Sequence, residues 1–245
     1  MAFSHVLISR PAPEAAELVR LLGDTGLVPV LVPAFDFEPG YAGVEFNRAW
    51  PEDKRRLAIF CSPRSVVFGL RQLPAGFLDD AEIAAIGPVT ANQLEEAEHT
   101  VTIIPEGNFN SESLLGHPAL NARPGKALIF SAPGGRQALF AGLQERGWDT
   151  EFAHVYRVVP IAPRDDEVRA LESANEIVSV WTSGNAIRHL SEALDAYHWK
   201  SVTNGTWVVT SERLADLARE YTSGPIFITD GPSNPDIRDC LLRLI

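Results

Sequence analysis

One pattern of residues occurs twice in this chain, half its length apart, and the duplication restricts the possible folds more than any other feature. Val6-Leu7-Ile8-Ser9-Arg10-Pro11 is echoed by Leu128-Ile129-Phe130-Ser131-Ala132-Pro133. Ile59-Phe60-Cys61-Ser62-Pro63 returns as Val180-Trp181-Thr182-Ser183-Gly184. Val101-Thr102-Ile103-Ile104-Pro105-Glu106-Gly107 returns as Pro225-Ile226-Phe227-Ile228-Thr229-Asp230-Gly231. Three echoes in the same order, at a nearly constant offset, point to two similar units. Two such units would enclose a cleft.

Short apolar runs alternate with helical patterns almost throughout. Val6–Ser9 reads as a strand before a helix over Pro13–Leu22, and Val28–Val32 is the next strand. The same grammar returns in Ala58–Cys61 with Ser65–Leu73, and in Ile83–Ile86 with Thr90–Ala97. It recurs in Ala127–Phe130 with Gln137–Glu145, Ile177–Trp181 with Ala186–Leu194, and Trp207–Thr210 with Leu214–Glu220. Strands alternating with helices of this length imply βαβ units and parallel sheets. Pro33–Pro39 and His154–Ile161 are extended, proline-containing runs with no helix behind them. They occupy equivalent places in the two repeats, and are expected to be a pair of crossing connections. Glu38–Pro51 has no period and reads as a loop.

Bulk properties exclude several classes. A chain of 245 residues holds one large domain or two small ones, and the repeat favours two. The net charge of −11 argues against a nucleic-acid partner, since phosphate binding needs clustered Lys and Arg. No apolar run approaches membrane-spanning length, and Arg10 interrupts the first apolar stretch, so neither a membrane anchor nor a signal peptide is expected. Cys61 and Cys240 fit no metal spacing; buried reduced thiols suit a cytoplasmic protein. Phosphate loops, HExxH, nucleophile elbows and a complete GxGxxG are missing, and the six histidines form no ligand spacing. The residues therefore call for no metal or other cofactor.

What remains is a set of turns at the carboxyl ends of strands: Cys61–Ser65 and Thr182–Asn185, Gly87–Thr90 and Thr210–Arg213, Ala132–Arg136 and Ser9–Ala12. Ligands of open parallel sheets bind at these ends. Helix N-termini there offer unpaired N–H groups to anions, and hydroxyls and guanidiniums add donors. A ligand with carboxylates or phosphates would suit such turns. Ser and Thr at helix starts also cap helices in any α/β protein. The turns thus locate a site without naming a reaction.

These residues resemble a known family. Arg10-Pro11, Phe60-Cys61-Ser62-Pro63-Arg64-Ser65-Val66 and Ala85-Ile86-Gly87-Pro88-Val89-Thr90-Ala91 look like uroporphyrinogen-III synthase. So do Pro105-Glu106 with Asn110-Ser111-Glu112-Ser113-Leu114-Leu115, Gly134-Gly135-Arg136, Val155-Tyr156-Arg157 and Val209-Thr210-Ser211-Glu212-Arg213-Leu214-Ala215. The resemblance spans nearly the whole chain. It implies an α/β fold of two similar domains, with parallel sheets flanked by helices, joined by a two-stranded connector. Residues 1–34 and 161–245 would form domain 1, residues 39–153 domain 2, and 35–38 with 154–160 the connector. Each domain would draw on both repeats.

The resemblance also implies a reaction. Family members close the linear tetrapyrrole hydroxymethylbilane with loss of water and invert its last ring, giving uroporphyrinogen III without a cofactor. The route passes through an azafulvene and a spiro-pyrrolenine. The substrate is reactive by itself, so the protein has mainly to hold one conformation and help the hydroxyl leave. Tyr156 is the implied general acid; packing of its ring against a domain is the competing role. Arg10, Ser62, Arg64, Thr90, Ser111, Arg136, Thr182, Ser183 and Ser211 are the implied contacts to the substrate's eight carboxylates. Ser183-Gly184-Asn185 departs from the Ser-Pro pattern at Ser62-Pro63. A monomer is expected, receiving substrate from hydroxymethylbilane synthase. Two other readings stay open: a non-catalytic tetrapyrrole- or anion-binding protein on the same scaffold, and a two-domain transferase that binds a nucleotide.

Overall fold

The computed structural model describes residues 3–41, 43–46, 50–51, 54–174 and 176–245. The chain divides into two compact units: unit 1, residues 1–36 with 159–245, and unit 2, residues 37–158.

Unit 1 is built on a five-stranded parallel sheet. Its strands are β1 (His5–Ile8), β2 (Val28–Leu31), β9 (Ile177–Trp181), β10 (Thr206–Val209) and β11 (Ile226–Ile228). They lie in the order β11-β10-β9-β1-β2. The helices of this unit are α1 (Ala12–Leu22), α6 (Asp165–Ser173), α7 (Gly184–Ala193), α8 (Ala196–Asn204), α9 (Glu212–Ala218) and α10 (Asn234–Leu242). Strand residues alternate between faces, so Val6 and Ile8 join Leu18, Leu22 and Leu241 on one side. Leu7 joins Trp181, Leu190 and Trp207 on the other. Burial on both faces is why these strands are continuous apolar runs rather than alternating ones.

Unit 2 has a four-stranded parallel sheet, β5-β4-β6-β7, formed by β4 (Arg56–Phe60), β5 (Glu82–Ala85), β6 (Lys126–Ser131) and β7 (Asp149–His154). Its helices are α2 (Pro63–Leu70), α3 (Pro88–Glu96), α4 (Ser111–Leu115) and α5 (Gln137–Glu145). Leu57 and Ile59 pack on one face with Leu139 and Leu143, while Ala58 and Phe60 pack on the other with Val66 and Leu94. Phe60 stacks on Phe130, ring centroids 4.5 Å apart, at the centre of that second core.

The sheet orders make the duplication explicit. An isolated parallel bridge joins Ala84 of β5 to Ile103. Unit 2 thus follows the order (Ile103)-β5-β4-β6-β7 against β11-β10-β9-β1-β2 in unit 1. The echoed segments fall on matching positions: β1 with β6, β4 with β9, and Ile103 with β11. In chain order the first repeat supplies β1, β2, β4 and β5, and the second supplies β6, β7, β9, β10 and β11. Each unit therefore takes strands from both repeats.

In the echo Val101–Gly107, which carried no strand assignment, Ile103 forms a bridge and Pro105 has no N–H to extend the ladder. Several expectations need correction. His154 closes β7, opposite Ser131 of β6, so the second extended run begins at Tyr156 rather than at His154. β7 itself gave no strand signal, because Asp149 and Glu151 break its apolar pattern. β3 (Phe35–Pro39) and β8 (Tyr156–Pro160) form a separate two-stranded sheet, and the chain passes between the units within these strands. Glu38 and Pro39 belong to β3, not to the loop expected over Glu38–Pro51. Of that loop, residues 42 and 47–49 lie outside the described residues.

Candidate functional site

The turn from β4 into α2 is the most elaborately bonded of the sequence-selected turns. Ser62 is extended (φ −170°, ψ 161°) and caps α2: its Oγ accepts the Ser65 N–H at 3.1 Å. The Ser62 N–H in turn donates to Ser65 Oγ at 3.0 Å, and Pro63 occupies the first helical position, where its missing N–H costs nothing. The Ser62 hydroxyl also lies 3.3 Å from Tyr156 Oη. Tyr156 is 9 % exposed, its ring edge-on to Phe37 and stacked on Phe68 at 5.8 Å. Gln72 Nε2 donates to the Val155 carbonyl at 2.6 Å and holds the backbone just before the tyrosine. Arg64 sets its guanidinium 3.5 Å from the Phe37 ring centroid. Three expected site residues (Ser62, Arg64 and Tyr156) therefore form one cluster in unit 2. Phe37, which joins Arg64 to Tyr156, is not among the expected residues; its signal is the alternation of Phe35 and Phe37 with Asp36 and Glu38 along β3.

Other expected residues of unit 2 are placed differently. Thr90 is 2 % exposed in the first turn of α3, and Ser111 is 5 % exposed at the start of α4, behind the Asn110 cap. Their hydroxyls face protein more than solvent. Arg136 sits at the N-cap of α5 in the left-handed region (φ 60°, ψ 30°) with no side-chain cap bond. Burial pushes the Cys61 thiol up to about 12, opposed by the charge of Arg136.

In unit 1, Arg10 follows β1 and donates from Nη2 to Asn234 Oδ1 at 2.7 Å. Asn234 also donates to Glu17. Burial lowers the Arg10 pKa, against the charges of Glu14 and Glu17. The Arg10 Nε is buried without a hydrogen-bond partner.

Thr182, Ser183 and Ser211 come together in a pocket of about 600 Å³ at the carboxyl ends of β9 and β10. Gly184, Asn185, Arg188, Thr210 and Arg213 complete its polar wall, and Leu214 and Leu217 supply apolar surface. Ser211 caps α9 through Leu214 N–H, whereas Ser183 makes no such bond. Arg213 closes the expected turn Thr210–Arg213 but is not among the expected contacts, and Arg188 escaped sequence reasoning, because lining this pocket depends on how α7 and α9 lie against the sheet. Tyr156 belongs to the other unit. Among the described residues no group of His, Cys, Asp and Glu is placed to hold a metal ion, and no helix is long and apolar enough to cross a membrane.

Fold and site together define a two-unit α/β protein whose hydroxyls and guanidiniums gather where parallel strands end and helices begin, as in ligand-binding proteins of this architecture. Comparisons with known proteins narrow the class. The family model described as "Uroporphyrinogen-III synthase HemD" matches residues 16–237. The uroporphyrinogen-III synthase of Escherichia coli (strain K12) is 29 % identical over 98 % of this chain and 99 % of its own. That of Salmonella typhimurium is 30 % identical over the same shares. Among solved structures, uroporphyrinogen-III synthetase from Helicobacter pylori 26695 superposes over 100 % of both chains, with a TM-score of 0.69 and 18 % identity. A mutant uroporphyrinogen III synthase from the extremely thermophilic bacterium Thermus thermophilus covers 98 % of this chain and 96 % of its own, with a TM-score of 0.53 and 19 % identity. The chain belongs to the uroporphyrinogen-III synthase family.

Proposed function

We infer that this protein closes hydroxymethylbilane to uroporphyrinogen III, acting as a cyclising lyase of tetrapyrrole and haem biosynthesis. The observation that carries this reading is the placement of arginines. α1, α2 and α5 each start at the carboxyl end of a parallel strand, and each has an arginine (Arg10, Arg64, Arg136) in or just before its first turn. The helix dipole makes that end positive, and the guanidiniums add to the positive potential there, although Glu14 and Glu17 offset part of it at Arg10. In a chain with 32 acidic and 21 basic residues, cations collected against their own dipoles suit a ligand bearing many carboxylates. A substrate with eight of them is such a ligand.

The chemistry asked of the side chains is small. Ser62 Oγ already accepts the Ser65 N–H, so its own proton is free to go to Tyr156 Oη, leaving the phenol O–H to donate outward. In this reading Tyr156 protonates the departing hydroxyl, which leaves as water. The resulting azafulvenium is attacked by the already-substituted carbon of the last ring, giving the spiro-pyrrolenine; the bond from that carbon to its original methylene then breaks, leaving a second azafulvenium on the neighbouring ring. The free carbon of the inverted last ring closes onto it, and the proton that this carbon loses as the ring regains aromaticity returns to the phenolate. Of the remaining expected residues, Thr182, Ser183 and Ser211 line the unit 1 pocket and bind and orient there, while the buried Thr90 and Ser111 support their turns. The protein works in the cytoplasm, as a monomer, on substrate received from hydroxymethylbilane synthase. Incubating the purified protein with hydroxymethylbilane and separating the isomers tests the reading. The type III isomer is expected; the spontaneous type I product alone, from folded protein, overturns it.

A further inference from the structure

The two units do not repeat one element faithfully. At the β4–α2 turn of unit 2 the sequence is Ser62-Pro63-Arg64, and the Arg64 guanidinium is laid over Phe37. At the matching β9–α7 turn of unit 1 it is Ser183-Gly184-Asn185, and the pocket of about 600 Å³ opens there. A β-carbon on Gly184 would stand 2.6 Å from Leu217 Cδ2 and 3.5 Å from Arg188 Nη1. Glycine at this place therefore leaves room both for the leucine that forms part of the pocket surface and for the arginine head. Arg188 Nη1 lies 3.4 Å from Asn185 Oδ1, within the same wall.

The charges of the pocket are unbalanced. Elsewhere in unit 1, Arg164, Arg219, Arg238 and Arg243 each pair with an Asp or Glu of the chain. Among the described residues neither Arg188 nor Arg213 does so, although acidic residues outnumber basic ones. No carboxylate is among the lining residues, while four hydroxyls and Asn185 are. The apolar part, Leu214 and Leu217, offers a surface for a flat ring. The volume falls within the range of small-molecule sites, roughly 300–1,000 Å³.

We propose that this pocket seats a pyrrole ring carrying two carboxylate arms, with Arg188 and Arg213 each taking one arm and Gly184 keeping the seat open. The proposal rests on the reading above and assigns it a particular subsite. Arg188 and Arg213 are specificity residues here, removed from Tyr156 in the chain and without part in the proton transfer. The departure of Ser183-Gly184-Asn185 from the Ser-Pro pattern is what separates a ring-binding turn from one that holds its arginine against an aromatic.

The test uses the full chain and two readouts. The first is KM and kcat with hydroxymethylbilane. The second is calorimetric titration with porphobilinogen, a monopyrrole bearing one acetate and one propionate arm, which needs no turnover. Arg188→Gln and Arg213→Gln are each expected to raise KM about tenfold and leave kcat within about threefold, since each removes one charged hydrogen-bond donor from the ground state and the transition state alike. Gly184→Ala, whose helical backbone accepts alanine, is expected to raise KM by moving Leu217 into the seat. Porphobilinogen is expected to bind the wild type and to bind the double variant about tenfold or more weakly. No binding to the wild type, or equal binding by a double variant with unchanged thermal midpoint, overturns the proposal. Failure of the wild type to form the type III isomer would instead remove the functional reading, and the titration would still decide the pocket.

Discussion

The phenolic oxygen of Tyr156 stands 3.3 Å from Ser62 Oγ, the same oxygen that accepts the Ser65 N–H and closes the first turn of α2. One serine thus fixes both the helix start and the orientation of the phenol. Tyr156→Phe keeps the ring in its packing against Phe37 and Phe68 while deleting the only acidic proton in that cluster. Its kcat is expected to fall about 10²–10⁴-fold, the usual worth of a positioned general acid. Its thermal midpoint should change little. An undiminished kcat would leave Tyr156 with its packing role alone.

Ser62 predicts a different balance. Ser62→Ala removes a cap acceptor and should cost about 1 kcal/mol of stability, whereas Ser62→Gly should cost only a few tenths. Both lose the partner of Tyr156 equally. Urea midpoints are expected to separate the two variants, while their kcat values stay together. A kcat that follows stability instead would tie Ser62 to folding only.

Arg136 is a non-glycine residue at φ 60°, at the positive end of a helix and without a cap bond. Both features are unfavourable to folding: the left-handed conformation costs about 1 kcal/mol or more for a residue with a β-carbon. Arg136→Gly relieves both at once. The thermal midpoint is expected to rise and KM for hydroxymethylbilane to rise with it. A variant that is less stable than the wild type would refute the strain argument, and an unchanged KM would detach Arg136 from substrate.

How much of this could be read from residues alone differs by level. The alternation of Leu57, Ile59 and Cys61 with Ala58 and Phe60 is period two, and both sets are apolar because both faces are covered. Such strands announce themselves. So does the α2 cap, because Ser62-Pro63 has one local reason to exist. β7 did not, since Asp149 and Glu151 point at Lys126 from the sheet edge and pair with it there. α6, α8 and α10 did not either: α6 buries Leu171 and α8 Val202 as their apolar anchors, and α10 buries Ile237, Cys240 and Leu241, so little apolar sequence marks them. At the site, hydroxyls at turns were legible because capping and binding favour the same residues. Arg188 was not, since it lies a full turn into α7 and lines the pocket only once α9 is in place.

Cys61 is 5 % exposed, and burial pushes its thiol up to about 12. An ordinary cysteine ionises near 8.5, and only the thiolate reacts. At about pH 8 the native protein should hold roughly one part in ten thousand of Cys61 as thiolate. Ellman's reagent is expected to leave Cys61 untouched in the folded protein. After denaturation it should titrate both of the cysteines in the chain. Rapid labelling of folded protein at Cys61, located by peptide mapping, would contradict this burial.

His198 joins two helices of unit 1. Its Nε2 lies 2.9 Å from Glu172 Oε1 on α6, and its Nδ1 lies 2.8 Å from Asp195 Oδ1 at the cap of α8. The bond to Glu172, then that to Asp195, raises its pKa against the opposing effect of burial. A histidine raised above its unfolded value of about 6.5 contributes stability that is complete below that pH and disappears as pH climbs through the folded value. Asp195 is lowered, first by the His198 backbone N–H, so its share is present above its unfolded value and lost as pH falls through the folded one. The two together give a clasp that holds best in mildly acidic solution. Both carboxylates are exposed although the imidazole between them is mostly covered, so salt should weaken the contacts. The difference in thermal midpoint between wild type and His198→Gln is expected to be largest near about pH 5.5 and to shrink by about pH 8.5. It should also shrink in about 1 M salt at the lower pH. A difference that is flat across this range would mean that the imidazole stays neutral between its two carboxylates and that α6 and α8 are held by packing alone.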